Sequence, residues 1–459
     1  MQNATNQTGQ ARSRVKWPVL YLSVENYSRE FDAKLLVGCA LAERGVLVVI
    51  GQQWLLNANL GRMPMGMVFF KGLNRVQVGN MERAKRIGHV AVANDEEAVG
   101  VADEKFMLHD IDEGLPPHCD LLLCQGERQR QSVKNHFPEM GDRLVVVGNP
   151  RIDLVRPEFR VLYEEEAARI REEQGRFVLI NTNLGGVNSG WGDINRYRQV
   201  LINIGWFDPT KPEDRALFRE HIVQDKLNQR EVYRLIDILR ASLPDRCIIV
   251  RPHPSEKIDT WQKKYSDTPR VKVIHQGSHL PWILASDILI HTGCTTGFEA
   301  QVADHPTISI RPGDLPFRFF HTSNVTNMVA ERAEQAAEMV QTFLYEDPEM
   351  FERAKPELTS RIAEHFAYVT GEFAFRRTAD VLFELFKRDV RSIGRFRWQV
   401  APGFVKEIPR EDYIKRKMSM THAEFDAHLA KLQRVLGTFG NLASEEIGDS
   451  LFLLRRRDA

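Results

Sequence analysis

The 459-residue sequence predicts an α/β protein: two Rossmann-like, doubly wound domains with a C-terminal helical extension. Three observations predict it. Short continuous apolar runs alternate with helical segments, the mark of parallel strands covered on both faces. The runs form two series, separated by a charged helical stretch at 158–174. The residues with chemical character stand just after the runs, where open α/β sheets bind ligands.

Residues 1–16 are polar and read as a disordered leader, with no apolar core of a signal peptide. Val19–Val24 is the first strand. Phe31, Leu35, Leu36, Cys39 and Ala40 then recur at helical spacing over 29–44, Gly45 ends the helix, and Val46–Ile50 is the second strand. Met67–Phe70, His89–Ala93, Leu121–Cys124 and Leu144–Val147 continue the pattern and complete a first domain over 17–157. The second domain, 158–330, holds the runs Phe177–Ile180, Cys247–Val250, Val271–Ile274, Ile288–Ile290 and Thr307–Ile310. Within it, 185–226 is rich in Gly, Asn and Trp and reads as an inserted loop with some helix. Residues 331–459 read as helices at 333–345, 348–367, 372–387 and 422–437, irregular over 388–422, packing back across the domains.

The bulk numbers exclude several classes. Lys plus Arg and Asp plus Glu balance at 62 each, so no global field points to nucleic acid, although 406–417 and Arg455–Arg457 are locally basic. Five cysteines without CxxC spacing read as reduced thiols of a cytoplasmic protein. No apolar run reaches the roughly 18 residues that span a bilayer, which leaves peripheral association as the one form of membrane contact. Neither a Walker A motif nor a GxGxxG fingerprint is present. Asp110-x-Asp112 has the spacing of a metal-holding acidic pair, but no strand precedes it, and no metal is assigned.

Two strand exits carry most of the signal. Cys247-Ile-Ile-Val-Arg-Pro-His-Pro254 ends in a corner whose prolines hold Arg251 and His253 extended. Such a corner can aim both side chains at a phosphate or sugar, His253 through a charge-assisted hydrogen bond; the plainer reading is a rigid strand exit. Ile288 to Ala300 runs from a strand through Thr295-Thr-Gly-Phe-Glu299 into a helix. There Thr296 and Glu299 have capping-box spacing, while Thr295 and the helix start suit a phosphate and Glu299 suits a ribose hydroxyl.

Other strand exits supply further candidates. Asp95-Glu-Glu97 crowds three carboxylates after a strand, which raises a pKa toward acid/base use; an acidic first turn of a helix is the alternative. Gly148-Asn-Pro-Arg-Ile-Asp153 offers Arg151 and Asp153, either across the cleft or as a helix cap with its paired arginine. Asn181 and Asn183 suit hydroxyl recognition or an Asx turn, and Glu25-Asn26 belongs to the same class.

The order Asp95-Glu-Glu97, Gly148-Asn-Pro-Arg-x-Asp153, Asn181-Thr-Asn183, Arg251-Pro-His-Pro254, Thr295-Thr-Gly-Phe-Glu-Ala300 resembles the bacterial surface carbohydrate biosynthesis proteins over roughly residues 17–315. It is also similar to GT-B glycosyltransferases with His-Pro and Ser/Thr motifs that use CMP-activated sugars, the sialyl- and Kdo-transferases among them. The resemblance implies a GT-B architecture and transfer of a 2-keto sugar acid, Kdo or a related nonulosonate, from a CMP donor to a glycan or lipid-linked glycan acceptor, with no separate cofactor. It implies that His253 and Pro254 contact CMP and that Thr295 and Thr296 stand at its phosphate. An acidic pair then supplies the chemistry: Glu96 or Glu97 as acid/base, Asp153 as nucleophile or orienting group, and Arg151 or Arg251 paired to the donor carboxylate. Ala98 in place of a glycine, Thr-Thr in place of the commoner serines, and the 185–226 insertion depart from the pattern. The alternatives are a CDP-linked polyol-phosphate polymerase, a UDP-sugar epimerase, and a non-catalytic carbohydrate-binding subunit.

Overall fold

The computed structural model describes residues 17–388, 392–393 and 419–458; the leader 1–16 and the basic stretch 406–417 lie outside them. β1 (Trp17–Val24) leads through helix Tyr27–Ala42 to β2 (Leu47–Gln52), parallel beside it. β3 (Met67–Phe70) pairs with the other edge of β1, and β4 (Val90–Asn94), β5 (Leu121–Cys124) and β6 (Leu144–Val146) follow outward, all parallel. The winding therefore reverses between β1 and β3.

The second sheet starts at its centre with β7 (Phe177–Asn181). β8 (Cys247–Arg251) and β9 (Val271–Val273) lie on one side; β10 (Ile288–His291), β11 (Thr307–Ile310) and β12 (Met328–Ala330) lie on the other. Every pairing is parallel, and the winding reverses between β7 and β10. Alternate residues feed opposite faces. Val178 and Ile180 join one apolar cluster, while Phe177 and Leu179 join the other. Burial on both faces is why these strands read as continuous apolar runs. β12 escapes the sequence pattern because it is three residues at the sheet edge.

Two stretches correct the expectation of helices alone after residue 331. β13 (Ser392–Ile393) pairs antiparallel with the start of β1. β14 (Leu442–Gly448) and β15 (Leu451–Arg456) form a hairpin, and β15 adds antiparallel to β2. The hairpin covers what would be an open strand edge. Its turn comes so close to β2 that a Cβ on Gly51 would lie 2.3 Å from the Ser450 carbonyl oxygen.

Helices Ala374–Arg388 and His422–Leu436 lie against helix Tyr27–Ala42, with Phe375, Leu382, Phe425 and Leu429 in the same cluster as Phe31 and Leu35. This cover explains why helix Tyr27–Ala42 is buried on nearly every side. The insertion resolves into helix Ile194–Asn203 and the start of the long helix Pro212–Ser242.

Candidate active site in the cleft between the sheets

In doubly wound sheets the crevice opens where the winding reverses, beyond the carboxyl ends of the strands. The chain has two such points, and they are chemically unlike.

At the first, β1 ends in Val24-Glu25 and β3 in Phe70-Lys71. Lys71 pairs with Glu25, and its Nζ lies 3.2 Å from Glu30. Glu30 also reaches back to the amides of Glu25 and Asn26 at 2.9 and 3.2 Å. Lys34, almost fully buried, stands between Glu30 at 3.0 Å and Glu96 at 3.1 Å. Burial alone would raise the Glu30 pKa, but Lys34, Lys71 and the backbone donors outweigh it and hold it at about 2. Glu96 goes the other way: burial, with Glu30 adding to it, raises its pKa, and Lys34 and Lys71 do not restore it. Lys34, Glu30 and Glu96 line a pocket with Asn94, Asn149 and Arg151.

Of the predicted acidic run, Glu96 thus lines a pocket with a perturbed carboxyl. Glu97 opens a 3-10 turn, and its side chain lies outside the described residues. Asp153 corrects its expectation as nucleophile. It is wholly buried, and its two oxygens accept the N–H groups of Ala374 and Phe375 at 3.0 and 2.7 Å. It caps the helix Ala374–Arg388, and burial raises its pKa to about 7.

At the second reversal, Asn181 donates from Nδ2 to the Thr296 hydroxyl at 2.9 Å, and its buried Oδ1 has no hydrogen-bond partner among the described residues. The Asn183 amide N–H donates to Thr292 Oγ1 and its side chain to the Gly293 carbonyl, both at 3.0 Å. Helix Thr295–Val302 begins here, with Cys294 as its N-cap. The expected Thr296/Glu299 capping box does not form. The helix starts two residues too early for it, and Glu299 turns to Arg151 at 2.9 Å and to His279 at 2.5 Å. Burial opposes the Glu299 charge, yet His279 and Arg151 bring its pKa down to about 2. Arg151 belongs to the first domain's last turn, so this pair ties the two walls of the cleft. Thr295 faces Gly100 across the cleft: a Cβ on that glycine would be 3.4 Å from Thr295 Oγ1.

The His-Pro corner sits beside this point. The Ser255 hydroxyl and amide N–H both meet His253 Nδ1, at 2.6 and 3.2 Å. Nδ1 is therefore the lone-pair nitrogen, and Nε2 carries the proton. Burial, with Arg29 and His275 adding to it, lowers the His253 pKa to about 4. Before a ligand arrives the ring is a neutral Nε2–H donor, and its hydrogen bond to a phosphate would be charge-assisted through the anion. Pro254 is exposed. Arg251 corrects its expectation as a ligand for anions: its guanidinium donates to the Gln276 and Gly277 carbonyls at 2.7 and 3.1 Å and stacks on Trp282. It holds the loop after β9 in place.

The sequence reading missed Glu256. This buried carboxylate accepts from Thr182 Oγ1, Leu184 N–H, His253 N–H, Asn188 Nδ2 and Trp261 Nε1, between 2.7 and 3.3 Å. It fixes the exits of β7 and β8 to one another. The reading also missed the first-domain cations Arg29, Lys34 and Lys71. A charged residue set among apolar neighbours, as Lys34 is between Ala33 and Leu35, was the available signal.

No protein-family model matches the chain, and no curated protein matches it. Solved structures do. A UDP-N-acetylglucosamine 2-epimerase superposes with a TM-score of 0.51 at 10% identity, covering 87% of this chain and 99% of its own. A putative UDP-N-acetylglucosamine 2-epimerase from Listeria monocytogenes gives 0.51 at 10%, over 83% of this chain and 100% of its own. The S. aureus MnaA–UDP complex gives 0.50 at 11%, over 83% and 100%. At such identities the likeness is one of fold. The chain has the GT-B type of fold, two Rossmann-like α/β units facing one cleft. Among the described residues no helix is long and apolar enough to cross a membrane.

Proposed function

We propose that the chain is a nucleotide-sugar enzyme working in the cleft, and that it moves a 2-keto sugar acid from a CMP donor to a surface-glycan acceptor. One observation carries this reading. The polar exits of β7, β8 and β10 converge on one side, with a neutral His253 Nε2–H and a helix start. Arg29 and Arg151 of the first domain lie opposite, close enough to act on Glu299. Helix-start N–H groups and cations from two walls suit a phosphate that leaves as an anion. The ordered motifs of the sequence supply the CMP assignment.

In this reading the second domain holds the donor and the first presents the acceptor. Arg29 and His253 take the phosphate of the departing CMP. The bond from the anomeric carbon to that phosphate breaks as the acceptor hydroxyl oxygen bonds to the same carbon. Glu96, its pKa raised by burial, takes the acceptor proton. We place the reaction in the cytoplasm, with peripheral membrane contact for a lipid-linked acceptor.

A second reading is epimerisation of a UDP-sugar. It is favoured by similarity in fold to two structures described as UDP-N-acetylglucosamine 2-epimerases and one bound to UDP. Thermal shift with CMP, CDP, UMP and UDP separates the readings. Selective stabilisation by CMP supports transfer, by UDP epimerisation, by CDP polyol-phosphate chemistry, and by none a binding subunit. His253→Ala removes one hydrogen bond to an anionic phosphate, so nucleotide affinity should fall by roughly tenfold to a hundredfold. Unchanged affinity in a folded variant removes His253 from the site.

A further inference from the structure

We infer that Trp191, in the insertion after β7, is a stacking platform for a sugar ring of the glycan acceptor; this rests on the nucleotide-sugar reading above. Trp191 is 50% exposed, although burying an indole is strongly favoured. One of its faces is backed by Tyr197, with ring planes 13° apart and centroids 5.9 Å apart. Tyr197 is buried in a small cluster with Leu201, Phe207 and Ile222, so the backing ring is fixed. Asp193 accepts the amides of Asn195 and Arg196 and starts the helix that carries Tyr197. The exposed indole is therefore held rather than loose.

Its position points to the acceptor. Ser189, two residues before, pairs antiparallel with Glu256, and the Gly190 amide donates to the Ser255 carbonyl at 2.7 Å. Ser255 is the residue whose hydroxyl and amide set the His253 tautomer. The insertion thus plants the indole a few residues from the phosphate corner. Further along, it reaches the other wall: Asp214 meets His109 of the first domain at 3.2 Å, and Trp206 packs on the same imidazole. A flat apolar face rimmed by polar residues is the surface that pyranose C–H groups cover while their hydroxyls stay hydrated. A single platform of one ring's size, beside the cleft, fits a sugar ring better than a protein partner, which needs a far larger contact.

The test is fluorine NMR on full-length protein carrying 5-fluorotryptophan at its seven tryptophans. The Trp191 signal is assigned by its loss in Trp191→Phe. The probes are maltotetraose, cellotetraose and chitotetraose, then CMP and UDP, then anionic phospholipid vesicles. The expected result is movement of the Trp191 signal with a tetrasaccharide, and affinity for that sugar about two- to tenfold weaker in Trp191→Ala. Nucleotide should move the Trp261 or Trp282 signals and leave Trp191 unmoved. A Trp191 response to nucleotide alone, to vesicles alone, or to none of the probes overturns the inference. Absence of any nucleotide response at Trp261 and Trp282 instead counts against the proposed function, whatever Trp191 does.

Discussion

The two points where the sheets reverse their winding face the same cleft with opposite chemistry. The first is packed with full charges: Glu25, Glu30 and Glu96 interleaved with Lys34 and Lys71. The second lines its strand exits with amides and hydroxyls; apart from Glu299, which Arg151 and His279 hold and which ties it to the first wall, the buried carboxylate beside it, Glu256, is held by five neutral donors. Among the described residues no lysine or arginine nitrogen pairs with Glu256. A charge balanced by charges has its protonation set by that balance, which pushes the Glu96 pKa up and the Glu30 pKa down, so a ligand that alters the balance can alter the protonation. A charge held by fixed dipoles cannot shift without moving backbone. The first wall is suited to proton transfer, the second to rigid binding.

The most severe way to break this contrast is Lys34→Met. The variant leaves two carboxylates buried beside each other with Lys71 as the remaining cation. Removing one partner of a buried ionic group costs ~3–5 kcal/mol. Urea denaturation should show that loss, and adding Glu96→Gln should restore part of it, because the stranded charge is then gone. Full additivity of the two changes would mean that Lys34 and Glu96 are not coupled, and the charged wall would lose its central pair.

Glu256→Gln tests the other wall, with a smaller effect. The amide keeps one acceptor oxygen for Thr182, Leu184 and His253. Its NH2 then confronts the N–H donors of Asn188 and Trp261, and two unmatched donors cost ~2 kcal/mol or more. The exits of β7 and β8 should loosen together, so nucleotide affinity should fall along with stability. If stability drops while nucleotide affinity is untouched, Glu256 serves only the fold.

How much of this was legible depended on whether a residue acts through its neighbours in sequence or through distant ones. The parallel strands were legible because both faces are buried, which leaves continuous apolar runs such as Phe177–Asn181. The strand exits were legible because Asn181, His253 and Thr295 follow those runs directly. The β14–β15 hairpin was not, since Leu442 to Arg456 mixes charged and apolar residues and reads as strand only once β2 offers it an edge. Gly297 shows the same limit. Nothing in the TTGFE motif announces that a Cβ there would lie 2.2 Å from the buried ring of His291. The capping box failed for a related reason: Glu299 has stronger partners, Arg151 and His279, than its own helix start can offer. Asp153, read as a nucleophile, is claimed by backbone more than two hundred residues away.

Asp153 also sharpens the contrast, because it stands between the two regimes. Its oxygens are held by two N–H groups, and the nearest cation, Arg156, is 3.9 Å away. Fewer donors than Glu256 and weaker pairing than Glu30 leave burial dominant, and the pKa rises to about 7. The sign of the resulting pH dependence follows. Between about pH 4 and 7 the folded state holds a proton at Asp153 that the unfolded chain has lost. The stability linked to that proton is present in full below about pH 4 and is lost as pH rises toward 7. Glu30 and Glu299, with pKa values near 2, act in the opposite sense, and their contribution is lost as pH falls below about 4.5. Comparing wild type with Asp153→Asn at each pH cancels those two and isolates Asp153. The variant should cost ~1 kcal/mol or more at pH 4, through one impaired cap acceptor. Its deficit should shrink or reverse by pH 8, where the wild-type carboxylate is buried as an anion. Thermal melts across that range read the difference directly, and a deficit that stays constant from pH 4 to 8 would show that Asp153 keeps an ordinary carboxylate pKa despite its burial.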